Sequence, residues 1–141
     1  MDDQPGLSDQ YRMSSPWPLF VALGLVISEL GILLGIIPLS VGGLLLFSGS
    51  IAGIVTEAGY TEQAWGILGG LGLVLIVLGG ILVATQVPSA SVAALSSVLS
   101  ELFSARPNGI AIRGLSIVVA GVIAIVVSQL AQFVEPDVET L

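Results

Sequence analysis

Residues Trp17 to Thr56 read WPLFVALGLVISELGILLGIIPLSVGGLLLFSGSIAGIVT, an apolar stretch broken by one charge, Glu29, and one mid-stretch proline, Pro38. As one helix it would need about 60 Å of apolar thickness at roughly 1.5 Å per residue, twice the roughly 30 Å of a bilayer's hydrocarbon. The chain must therefore turn near Pro38, and the stretch reads as two spans, Trp17 to Ile37 and Ser40 to Thr56, joined in a tight hairpin. Two further runs have the same character, Trp65 to Gln86 and about Leu115 to Val134. All seven prolines fall outside the spans or in a first turn, where the missing N–H costs nothing. A backbone in lipid must satisfy its own hydrogen bonds, and runs this long suit helices rather than barrel strands.

Composition agrees. The chain has 141 residues, 55% hydrophobic and 9% charged, with 18 Gly, whereas a water-soluble domain carries about 25% charged residues. The predicted fold is all-α and polytopic. An acidic tail (1–16) precedes a four-helix transmembrane domain (17–134), and a second acidic tail (135–141) follows. Between the third and fourth spans, residues 91–105 place Val92, Leu95, Val98, Leu99, Leu102 and Phe103 on one helical face. That segment is too short to span. It reads first as a helix lying flat at the interface, and second as one docked on a partner protein. The first sixteen residues lack a basic start and a cleavage site of the signal-peptide kind, so the first span is expected to stay as an anchor.

Ten acids against three arginines give a net charge of −7. No basic patch can be assembled for nucleic acid. Without Cys or His, disulfides, Cys/His zinc sites, iron–sulfur clusters and histidine-ligated haem are ruled out. No cofactor is expected, and no nucleophile–base or fixed carboxylate pair suggests an enzyme. Four crossings place both termini on one face, together with most of the acids and the amphipathic rings of Tyr11, Trp17, Tyr60 and Trp65, which are expected to anchor at headgroup level. Arg106 and Arg113 against Arg12 weakly favour a cytoplasmic opposite face.

Small residues mark helix-packing faces: Gly24, Ser28, Gly31 and Gly35 in the first span, Gly49 and Gly53 in the second, Gly66 and Gly70 in the third, and Ala120, Ala124 and Ser128 in the fourth. They are expected to pack the protein's own helices.

Glu29 is the most informative position. A charged acid at mid-bilayer costs roughly 2.5–3.5 kcal/mol, and desolvation favours the neutral acid. A neutral carboxyl still needs a hydrogen-bond partner. No base falls within any predicted span, so the candidate partners within the chain are the hydroxyls of Ser48 and Ser50. Glu29 admits three readings: a structural bond to one of these serines, a contact with another subunit, or a proton relay.

The segments Gln4 to Arg12, Ser15-Pro16-Trp17-Pro18-Leu19-Phe20, Ser28-Glu29 and Val41 to Phe47, running on to Gly59-Tyr60, resemble a family of small haloarchaeal membrane proteins encoded beside haem–copper oxidase subunits and called "cox cluster protein". The resemblance lies mainly in residues 1–60. A salt-adapted source would account for an acidic chain without lysine. The resemblance implies a non-catalytic accessory subunit or assembly factor of the terminal oxidase, with membrane subunits as partners. Two alternatives stand beside it: ion or proton translocation centred on Glu29 in a homo-oligomer, and a self-associating membrane protein unrelated to respiration.

Overall fold

The computed structural model describes residues 15–102, 104 and 108–139. It is all-α, with helices α1 (Trp17–Leu34), α2 (Ile37–Glu57), α3 (Ala64–Ala84), α4 (Val92–Glu101) and α5 (Gly109–Glu139). Four of them are long and apolar enough to cross a bilayer, α1, α2, α3 and the Gly109–Val134 part of α5, and the short α4 lies between the third and fourth. The protein is thus a multi-pass integral membrane protein.

The ends of the first hairpin follow from local chemistry. Pro18 sits in the first turn of α1, where its missing donor has no partner to lose, and the Ser15 hydroxyl accepts the Trp17 N–H at 3.2 Å. At the other end Gly35 adopts φ 71°, a left-handed geometry costly for any residue with a Cβ. The Ile36 N–H then donates back to the Gly31 carbonyl at 2.8 Å, closing the helix in a Schellman-type stop. Gly35 therefore ends α1, and among the described residues a Cβ on it would meet nothing within 4 Å, so the packing role expected for it is corrected. The turn is also earlier than expected: Ile37-Pro38-Leu39 forms the first turn of α2 rather than the loop.

α1 and α2 run antiparallel in close contact, with Gly24 against Phe47, Ser28 against Gly43 and Gly31 against Ser40. The far end of this pair is fastened twice. The Ser15 hydroxyl donates to the Glu57 carboxylate at 2.6 Å, and the Trp17 ring lies over Gly53.

The second tight pair is α3 with α5. A Cβ on Gly72 would lie 2.7 Å from the Gly121 carbonyl oxygen, and one on Gly79 would lie 2.5 Å from that of Gly114. Two backbones meet here with nothing between them, which is how membrane helices gain dispersion contact without a hydrophobic driving force. The two pairs join along α2, which touches both α3 and α5, while α1 meets α5 only at its margin.

The interior is built from small residues. Ser40, Ser50, Ser116, Ser128, Ala111, Ala120 and Ala124 are all buried, while Leu33, Leu34, Leu73 and Leu130 face outward. Large aliphatic side chains gain little by turning inward when the surroundings are themselves apolar.

α5 begins six residues earlier than the sequence reading placed it. The Asn108 side-chain oxygen accepts the N–H groups of Ile110 and Ala111, both at 3.0 Å, satisfying donors that a helix start leaves free. Its amide nitrogen donates to Gln86 at 2.8 Å, tying the start of α5 to the residues just beyond α3. At the other end the helix backbone continues to Glu139, through most of the segment expected to be a tail.

α4 is capped by Ser91, whose hydroxyl accepts the Ala94 N–H at 3.1 Å. Val98 and Leu102 are buried against Ala111 and Ile112 of α5, while Val92 is exposed. The apolar face of α4 is thus partly docked on the protein's own fourth span. The short helix expected between the third and fourth spans is present, and part of its apolar face is covered by the protein's own α5. Phe103, counted on the same face, lies outside the described residues.

Candidate functional site within the membrane

Glu29 and Arg113 form the site. Glu29 lies five residues before the end of α1, about 7.5 Å from that end at roughly 1.5 Å per residue. Arg113 lies four residues into α5, about 6 Å from its start on the same rise. Both helix ends belong to one end of the bundle, because α1 stops where α2 and α5 begin. The Arg113 Nη2 donates to Glu29 Oε2 at 2.9 Å, and Nη1 donates to Oε1. This is the two-pronged guanidinium–carboxylate geometry that fixes direction as well as distance. The side chains remain 40% (Arg113) and 52% (Glu29) exposed.

Several sequence readings change as a result. Glu29 has a base within the membrane after all, so the neutral acid seeking a hydroxyl gives way to an ion pair. Ser48 and Ser50 are buried on α2, and Ser50 donates to the Leu46 carbonyl at 2.6 Å. Neither is level with Glu29. In the α1–α2 register Gly43 stands opposite Ser28 and Phe47 opposite Gly24. Ser48 and Ser50 therefore lie roughly 9–12 Å further along the hairpin at about 1.5 Å per residue.

Arg113 was missed because the run of purely apolar residues begins only at Leu115. A signal for it was present. The fourth span's small-residue stripe of Ser128, Ala124 and Ala120 continues at a spacing of four to Ser116, and Arg113 lies three residues before that, on the neighbouring turn of the same face.

Of the expected packing residues, Gly24, Ser28 and Gly31 face α2, and Gly53 lies under Trp17. Gly49 and Gly70 have open space where a Cβ would project, and Gly66 meets only the Gln63 side chain. The third span instead packs through Gly69, Gly72 and Gly79, one face further round, because its partner is α5. Gly43, Gly114 and Gly121 are, with Gly69, Gly72 and Gly79, contact glycines that the sequence reading did not single out.

Trp17, Tyr60 and Trp65 cluster at the end of the bundle away from the ion pair, where α1 starts, α2 ends and α3 starts. Tyr60 is 85% exposed, and the Trp65 carbonyl accepts from the Ser128 hydroxyl at 2.6 Å. Tyr11 lies outside the described residues.

Alongside the pair runs a groove of about 460 Å³, walled by Leu25, Val26, Leu30, Ile32 and Leu33 with Glu29 and Arg113. A larger apolar groove of about 800 Å³ lies between α3, α4 and α5, with Val83, Val87, Leu95, Leu99 and Leu115 among its walls. Among the described residues no group of three or more acids gathers as a metal site would require.

These features define a small four-span helical membrane protein whose two tight helix pairs are bridged by an intramembrane ion pair. The chain belongs to a family of unknown function, DUF7541, whose model matches residues 1–134. Comparison with curated proteins and with solved structures gave no match.

Proposed function

We propose that this protein is a non-catalytic accessory subunit or assembly factor of a haem–copper terminal oxidase, held in the cell membrane with both termini on the same side. The likeness of residues 1–60 to the haloarchaeal proteins encoded beside oxidase subunits supplies the partner. The Glu29–Arg113 pair supports the scaffolding role, because the carboxylate that a proton carrier would need is engaged at both oxygens by a guanidinium. α1 and α3 present broad aliphatic faces suited to lipid or to the helices of other subunits.

The test is capture from native membranes through a tag on this chain. Haem absorbance should accompany the eluate in mild detergent, and a haem-free eluate across several such detergents would contradict the proposal. Translocation through Glu29 is separated from this role by Glu29→Gln. The accessory role predicts unchanged proton flux in vesicles together with weakened assembly, whereas lost flux with intact assembly would favour translocation.

A further inference from the structure

Among the described residues the ion pair has hydrogen-bonding capacity it does not use. Arg113 directs two nitrogens at Glu29, and a guanidinium carries N–H groups beyond those two. Each carboxylate oxygen also has lone-pair room for a second donor. Both side chains are about half exposed, yet they sit several ångströms inside the helix ends, where polar groups facing hydrocarbon are costly and normally turn toward protein or water. The groove beside them is otherwise aliphatic, with Leu25 50% and Leu33 79% exposed.

Charge decides what fits. The pair is neutral as a whole and has one positive and one negative end. A free anion would meet the Glu29 carboxylate, and a cation would meet Arg113. A second identical pair, turned by 180°, meets opposite charge at both ends. The membrane helps to set this geometry: a two-fold axis along its normal keeps both copies in the same orientation and brings the two pairs to the same depth. Such an interface is self-complementary, the commonest form of closed assembly.

We infer that a second copy of this chain docks on the α1–α5 groove about a two-fold axis along the membrane normal, so that Glu29 and Arg113 of both copies form an alternating four-charge ring. The inference stands apart from the oxidase proposal, since it concerns self-association and is read without any oxidase present.

The chain has no cysteine, so single cysteines report contacts without background. Leu25→Cys and Leu33→Cys, one turn on either side of Glu29, should each give a disulfide-linked dimer on mild oxidation in native membranes. Val77→Cys, on α3 and about as exposed as Leu25, should not. In the Leu33→Cys background, Glu29→Arg alone or Arg113→Glu alone should lose the homodimer, since like charges would then face each other across the axis. Co-expressed with different tags, these two should cross-link to one another. The double exchange E29R/R113E keeps the internal pair and should restore the homodimer even if the single variants fail to fold.

Absence of cross-links at both groove positions would overturn the inference. So would cross-linking at Val77 equal to that at Leu33, or a double-exchange homodimer that fails to form in a protein that folds.

Discussion

At the scale of single residues, the Glu29–Arg113 pair depends on geometry as much as on charge. A lysine at 113 would keep the positive charge but offer a point ammonium in place of the planar fork. Arg113→Lys should therefore lower the unfolding temperature in detergent by less than Arg113→Ala does, and should not reach the wild-type value; equality of Lys with Arg would show that the two-pronged contact is unimportant. Glu29 was legible in the sequence as the one acid within a predicted span. Its partner was not, because hydropathy fixes where a helix enters lipid and is blind to the polar cap that starts it. Asn108 begins α5 early, and only that early start puts Arg113 inside the helix. Gly35 was misread for a related reason: its spacing fits the packing stripe, but its φ of 71° makes it the stop. Gly35→Ala, which must hold that left-handed geometry with a Cβ, should cost about 1 kcal/mol of stability, measured by reversible unfolding in detergent. No loss would show that the stop is not there.

At the scale of helices, the close-contact glycines separate what spacing suggests from what packing requires. Gly70→Ile projects into open space, whereas Gly72→Ile would drive a side chain into the Gly121 carbonyl and the Ile125 and Ala124 side chains. Overpacking of this kind costs roughly 1–3 kcal/mol or more. The Gly72 variant should lose stability by at least that much in denaturant-induced unfolding while the Gly70 variant stays near wild type, and the reverse order would refute the α3–α5 register. The existence of all four spans, and the approximate limits of the first three, were readable from length and apolarity alone. The facing side of α3 was not, because a helix apolar all round carries no amphipathic signal and glycines lie on several of its faces. The α4 pattern was readable as amphipathic, but which surface it covers depends on Ala111 and Ile112, which enter only through the early start of α5.

At the scale of the whole molecule, the fold is two antiparallel helix pairs, each locked by backbone-to-backbone contact, joined along α2 and bridged at one end by the ion pair. Amphipathic rings gather at the opposite end, so the molecule has one anchored end and one end where charge crosses between the pairs. The central claim is that Glu29 and Arg113 couple α1 to α5 energetically within the membrane. A double-mutant cycle of Glu29→Ala, Arg113→Ala and the combined variant, followed by unfolding of protein reconstituted in lipid, reads that coupling directly. A favourable coupling of at least about 1 kcal/mol, the upper range for water-exposed pairs and a floor for one that also faces lipid, is the predicted result, and strictly additive losses would contradict it.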